Sequence, residues 1–207
     1  MPLGIFALLA GVGFIALVVW LARTSAQKTE ANLTELAQRL GLTLTATRVF
    51  GLISGAELNG VIDGRNVRFW SYSTGSGKSR QTWVAVGVRP RQESALQFSL
   101  SRQGFSTGIA QLFGAKEITL GDRVFDDAWF IETNQPESLA AALVPAIREK
   151  LMAVHAGSRT GKVRLEKGEV VFSEPGGFSS RDQLVRLEAA VPVLLDLADV
   201  AEVLGQS

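Results

Sequence analysis

The sequence predicts an α+β protein: an N-terminal transmembrane helix, a domain of antiparallel strands with packed helices, and a C-terminal amphipathic helix. Three observations predict it. Residues 3–22 carry no charge, residues 42–172 contain strand-like segments separated by turn residues, and leucines recur at helical spacing near the C-terminus. The predicted divisions are an anchor at 1–23, a juxtamembrane helix at 24–41, an α+β domain at 42–178 and a C-terminal helix at 179–207.

The uncharged segment 3–22 predicts a membrane anchor. As an α-helix it would be about 30 Å long, which is the thickness of the hydrocarbon core of a bilayer. Trp20 and Arg23 are expected at the membrane interface. The alternative is a cleavable signal peptide, but that requires basic residues before a shorter apolar core, and no Lys or Arg precedes Arg23.

The charges around this segment predict its orientation. Arg23, Lys28 and Arg39 follow the segment, so the positive-inside rule places the C-terminal domain in the cytoplasm. The predicted location is the bacterial inner (cytoplasmic) membrane, crossed in a single pass. Ala7 and Gly11 form a small-xxx-small pair, which predicts either a helix–helix contact or a plain lipid anchor.

Composition excludes several kinds of chemistry. The chain has 207 residues, a net charge of +1, no Cys and one His, which is His155. The near-zero net charge gives no bulk attraction to nucleic acid, so no nucleic-acid partner is expected. Without Cys, neither disulfides nor thiolate catalysis can occur, and a single His cannot form a His-rich metal site. We therefore expect no metal and no cofactor.

Alternating residues predict the strands. The first strand begins at residue 42, and Asp63-Gly64 predicts a hairpin turn between the two that follow. Further strands are predicted at 82–88, 95–100, 115–120 and 128–133, and a last hairpin around Lys167-Gly168.

The helix signals lie mainly in the second half. A short helix is predicted at 106–113, and Asp122 to Asp127 reads as a turn. Pro136 suits a first helical turn, and Pro145 interrupts a leucine stripe, so two helices are predicted there. Ser180 and Gln183 predict a capping box at the start of the C-terminal helix.

Several of these segments occur together in a known family. The segments are 36–42 (LAQRLGL), 121–125 (GDRVF), 129–134 (WFIETN), 143–151 (LVPAIREKL) and the predicted hairpin 163–172. Their order resembles a family of uncharacterised bacterial membrane-anchored proteins classed as a domain of unknown function. The resemblance covers roughly residues 33–175. It implies a fold, and no activity, cofactor or site residue comes with it.

No catalytic motif stands out, so the catalytic residues are unknown. Residues 75–79 (GSGKS) echo a phosphate-binding loop, but strands are predicted on both sides, so a polar hairpin loop is preferred. The clustered acids Asp122, Asp126, Asp127 and Glu132 match no calcium-loop spacing, and a solvated turn is preferred.

A basic surface is predicted within residues 60–104, where cations outnumber acids and aromatic residues are interleaved. Such a surface could stack single-stranded nucleic acid or face anionic lipid headgroups, and the preferred interpretation is an ordinary solvated sheet face. The predicted basic residues are Arg65, Arg68, Lys78, Arg80, Arg89, Arg91 and Arg102.

These observations predict a membrane-anchored, non-enzymatic interaction protein or accessory subunit. The expected partners are the lipid bilayer and another membrane or membrane-associated protein. Two alternatives remain open. One is a membrane-tethered hydrolase that uses carboxylates such as Asp122, Asp126 or Glu132, and the other is a binder of anionic headgroups.

Overall fold

A computed structural model describes residues 2–49, 52–102, 116–158 and 160–205. The helices in these ranges are α1 (Pro2–Leu40), α2 (Arg123–Ala128), α3 (Pro136–Ala142), α4 (Pro145–Gly157) and α5 (Arg181–Leu204). The strands are β1 (Thr43–Val49), β2 (Leu52–Ile62), β3 (Arg65–Thr74), β4 (Gln81–Val88), β5 (Phe98–Arg102), β6 (Lys116–Ile118), β7 (Trp129–Thr133), β8 (Lys162–Glu166) and β9 (Glu169–Pro175).

The nine described strands form one sheet in the order β1-β2-β3-β4-β9-β8-β5-β7-β6. Every pair of neighbours in this sheet is antiparallel. The first four strands form a meander in chain order. The β8–β9 hairpin then inserts between β4 and β5, so residues about 80 positions apart in the chain become neighbours in the sheet.

One face of this sheet is covered by the described helices. Val84, Val86 and Val88 alternate along β4 towards this side, and each is 0 % exposed. Helix α5 packs over β4 and β9, while the second half of α1 packs over β1 and β2. Leu33 and Leu36 of α1 are also 0 % exposed and belong to the same core. We call this side of the sheet the helix face.

The predicted transmembrane anchor is wrong, because no helix in the described part of the chain is long and apolar enough to cross a membrane. Helix α1 continues without a break through charged residues to the core contacts of Leu33 and Leu36.

The predicted fold class is therefore wrong in its first element, the transmembrane helix. The predicted location, a single pass through the inner membrane with a cytoplasmic domain, depended on that helix and is no longer supported. Helix α1 is one helix from Pro2 to Leu40, so it includes both the segment predicted as an anchor and the segment predicted as a juxtamembrane helix. The helix predicted at 106–113 lies outside the described residues.

The predicted hairpin turns are present. Asp63 and Gly64 have φ values of 50° and 73°, and Lys167 and Gly168 have φ values of 53° and 74°. These are the left-handed conformations that a two-residue turn between antiparallel strands requires. Pro145 begins α4, as the interrupted leucine stripe predicts.

Two local predictions are wrong. Residues predicted as a turn form the short helix α2, because the Asp122 carboxylate accepts a hydrogen bond from the Phe125 amide and caps the helix. Ser180 makes no side-chain cap at the start of α5. The Gln183 side chain instead donates to the Pro175 carbonyl (2.7 Å) and accepts from the Gly177 amide (2.9 Å), so it stabilises the preceding turn.

Candidate functional site

The candidate site lies on the side of the sheet that faces away from the described helices. Strands β3, β4, β9 and β8 present alternate residues there, and the strand register sets Arg68, Gly87, Val171 and Arg164 in one row across them. Neighbouring strands are about 4.8 Å apart, so the two arginines are separated by roughly 15 Å across the row. We call this side the open face.

A groove of about 290 Å³ lies along this row. Its lining residues are Arg68, Trp70, Tyr72, Arg164, Glu166, Lys167, Glu169 and Val171. A second concavity of about 410 Å³ over β1 to β3 shares Arg68 and Glu169 with it. We refer to the first of these as the open-face groove.

Gly87 shapes the floor of the open-face groove. A Cβ atom at this position would lie 2.9 Å from the Trp70 ring, which is too close for a carbon contact. Because Gly87 has no side chain, the Trp70 indole can pack directly against β4. The guanidinium carbon of Arg68 lies 3.9 Å from the centroid of the same ring, which is a cation–π distance. Trp70 is thus held between strand and cation.

Each of the two carboxylates in the groove is shared by two cations. Glu169, whose side chain is 12 % exposed, accepts from Arg68 Nε at 3.0 Å and from Arg89 at 3.2 Å. Glu166 lies 3.2 Å from Arg164 Nε and 3.8 Å from Lys167 Nζ. The Arg164–Glu166 contact is an ion pair without hydrogen-bond alignment, so Arg164 Nε has no hydrogen-bond partner among the described residues.

Lys162 adds a cation for which the described residues show no ion pair. Its ammonium lies 5.7 Å from the Trp83 ring centroid, and Tyr72 stacks on the same ring with centroids 6.3 Å apart. Burial, and next the neighbouring charge of Arg164, lower the pKa of Lys162 below its ordinary value. Both effects disfavour the charged ammonium, and burial is the larger of the two.

The seven predicted basic residues do not form one surface. Arg68 and Arg89 meet at Glu169 on the open face, whereas Arg65 is 5 % exposed on the helix face. Lys78 and Arg80 lie in the exposed loop after β3, where Gly77–Ser79 forms a single 3-10 turn.

The remaining two predicted basic residues, Arg91 and Arg102, also lie outside the open-face groove. The Arg91 guanidinium donates to the Asp63 carbonyl at 3.2 Å, and its amide donates to Glu202 at 2.6 Å. Arg102 follows the helix-face residues of β5, opposite Trp129. The seven predicted residues therefore come from both faces of the sheet and from a loop.

The three carboxylates predicted for a hydrolase have separate surroundings. Asp122 caps α2 and pairs with Arg148 at 3.1 Å. Asp126 accepts a hydrogen bond from the Leu120 amide at 2.9 Å. Glu132 is 2 % exposed on β7, opposite Ser99. Asp122 and Asp126 stabilise local backbone, and in the described ranges no His, Asp or Glu cluster could hold a metal ion.

The residues predicted for the membrane interface and helix contact lie on α1. Trp20 is 60 % exposed and Arg23 is also exposed. With no spanning helix in the described ranges, the interface role predicted for these two residues loses its basis. The side chains of Ala7 and Gly11 lie outside the description, so the helix–helix contact stays a prediction.

Sequence reasoning missed Arg164, Glu166 and Glu169, which line the open-face groove, and Lys162, which lies near Trp83 beside it. The only signal was the hairpin around Lys167-Gly168, in which charged residues at 162, 164 and 166 alternate with Val163 and Leu165. That pattern places three charged residues on one face of a strand. Nothing local places that strand beside Trp70 and Tyr72.

Comparison with known proteins supports the fold only. No protein-family model and no curated protein matches the chain. Among solved structures, the mycobacterial trehalose monomycolate transport factor A, TtfA, is similar with a TM-score of 0.53 and 8 % sequence identity. The match covers 86 % of this chain and 94 % of that protein. The resemblance to a family of unknown function stays a prediction, while the TtfA match shows an overall fold that the two chains share.

Proposed function

We propose that this chain is a non-enzymatic interaction protein that serves as an accessory subunit of a larger assembly. The open-face groove is the observation that carries the proposal. It combines half-buried aromatic rings with several cations on the side of the sheet that the described helices leave uncovered. Aromatic residues and Arg are the types enriched where proteins bind one another.

Two further observations favour binding over catalysis. Asp122 and Asp126 are engaged in helix capping and backbone hydrogen bonds, so their surroundings account for them without a reaction. The protein of similar fold is described as a transport factor, which is compatible with an accessory role.

Affinity purification of the tagged full-length chain tests the proposal. Cells should be extracted with a mild detergent at low ionic strength, because surface electrostatic contacts weaken with salt. We expect one partner protein to be retained in a fixed ratio through size-exclusion chromatography. A chain that elutes alone from every extract, with no stable partner, would contradict the proposal.

A further inference from the structure

We propose that the open-face groove binds an acidic, extended segment of the partner protein. The inference rests on the proposed function and names the chemistry of the segment that the partner presents. Carboxylates of that segment would pair with the groove cations, and its apolar or aromatic side chains would lie against Trp70 and Tyr72.

Charge complementarity is the first argument. The groove lining holds the cations Arg68, Arg164 and Lys167 and the carboxylates Glu166 and Glu169. Arg89 also pairs with Glu169, and Lys162 lies near Arg164. These five cations outnumber the two carboxylates by three. Glu132, on the same side beyond Arg164, is buried and already engaged by another residue.

The depth of Arg164 is the second argument. The Arg164 side chain is only 24 % exposed, and its Nε has no hydrogen-bond partner among the described residues. The Tyr72 hydroxyl lies 3.4 Å from the Arg164 guanidinium, at the long limit of a hydrogen bond. A flat layer of lipid headgroups contacts protruding cations. A recessed guanidinium is reached by side chains that enter the groove, as those of an extended peptide do.

Symmetry argues against a second copy of this chain as the occupant. A closed dimer uses the same patch on both subunits, so pairing through the groove would place two positively charged surfaces against each other. A head-to-tail contact between copies would produce a ring or an open filament instead of a closed dimer. The occupant is therefore a different chain that carries negative charge.

Binding of a labelled peptide tests the proposal on the full-length protein. The probe is a short fluorescein-labelled peptide of alternating Glu and Tyr, and the control peptide replaces each Glu with Gln. Anisotropy should show saturable binding of the acidic peptide that weakens as salt is raised. Equal binding of both peptides would overturn the proposal.

Charge variants locate the binding. The double variant Lys162→Gln/Lys167→Asn removes one cation that lines the groove and one that lies beside it, and Asn suits the positive φ at position 167. We expect its affinity for the acidic peptide to fall about tenfold, from about threefold per cation. The matched control Lys28→Gln/Arg123→Gln removes two exposed cations outside the groove and should change affinity less than twofold. An equal loss in both variants would refute a groove site.

The single variant Lys167→Asn, at an 88 % exposed side chain, keeps the test valid if the double variant folds poorly. It should weaken peptide binding about threefold. Vesicles of phosphatidylglycerol serve as a competitor. If they displace the peptide while phosphatidylcholine vesicles do not, the groove binds lipid headgroups and the assignment to a peptide is wrong.

The same variants separate this inference from the proposed function. If a partner copurifies with the wild-type chain and equally well with Lys162→Gln/Lys167→Asn, the groove assignment fails and the accessory role stands. If no partner copurifies with either chain, the accessory role fails. The peptide-binding measurement is then the only test of the groove.

Discussion

Substitution of Arg65 by Met tests how the C-terminal helix is held against the sheet. The Arg65 side chain is 4 % exposed, and its guanidinium donates to Asp199 and, at 2.9 Å, to Glu202 of α5. Met has a similar volume but no charge. Breaking a fully buried ion pair costs about 3–5 kcal/mol. Glu202 is 15 % exposed and keeps a 2.6 Å bond from the Arg91 amide. We therefore expect Arg65→Met to destabilise the protein by about 2–3 kcal/mol.

Chemical denaturation with guanidinium chloride at pH 7 measures this loss, provided that two probes give coincident transitions. Glu202→Gln and the double variant complete a cycle, in which the two losses should be strongly non-additive. A loss below about 0.5 kcal/mol for Arg65→Met, which is ordinary for a surface substitution, would refute the reasoning.

Acid provides an independent check on the same pair. Burial alone raises the pKa of Glu202, but hydrogen bonds from the Arg91 amide and the Arg65 guanidinium lower it below its ordinary value. A carboxylate with a lowered folded-state pKa contributes stability that is present above the unfolded pKa, about 4.3. This contribution is lost as pH falls through the folded pKa. The difference between wild type and Arg65→Met should therefore shrink towards pH 3.

Three further substitutions probe other parts of the fold. Gln183→Ala removes both hydrogen bonds to the turn that contains Gly177 and should cost about 1–3 kcal/mol in denaturation. Leu36→Ala empties a fully buried position beneath α1 and should cost about 2–5 kcal/mol in the same assay. His155→Gln should flatten the fall in stability between pH 7 and 5, followed by thermal unfolding. Burial, and next the charge of Arg102, lower the His155 pKa, so the unfolded state protonates first and acid favours unfolding.

Each of these has a control or a contradicting outcome. Asp182→Ala and Gln38→Ala alter exposed neighbours on the same helices and should change stability by less than about 0.5 kcal/mol. If either control costs as much as its buried counterpart, the contacts assigned to Gln183 or Leu36 do not explain the loss. An unchanged pH slope in His155→Gln would show that other groups cause the acid sensitivity.

The short-range features of the fold could be predicted because each depends on a few adjacent residues. Asp63-Gly64 and Lys167-Gly168 adopt positive φ in two-residue turns, and Pro145 starts a helix because its ring fixes φ and it lacks an amide hydrogen. The capping box predicted at Ser180 is absent because the Gln183 side chain makes its hydrogen bonds elsewhere. It bonds with the turn that precedes the C-terminal helix and not with the end of that helix.

The strand order and half of the candidate site could not be predicted. Placing β9 beside β4 brings Glu169 to Arg68, which lies 101 residues earlier, and no local pattern encodes that contact. The error over Arg65 was avoidable. Positions 65 and 68 have opposite parity along one strand, so the period of two places them on opposite faces.

The predicted anchor shows the limit of an argument from apolar composition. An apolar run predicts a helix, but it does not show where that helix ends or what it packs against. Helix α1 continues to Leu40, and its buried residues, including Leu33 and Leu36, contact the sheet.

Site-specific photocrosslinking tests the central claim most directly, namely that the open face is the surface that binds a partner. Benzoylphenylalanine would replace Tyr72 in the open-face groove, or Val185, which is 51 % exposed on α5. Irradiation in cells should give one discrete crosslinked species from position 72 and none from position 185. Crosslinking from position 185 alone would show that the partner binds the helix side and would contradict the account.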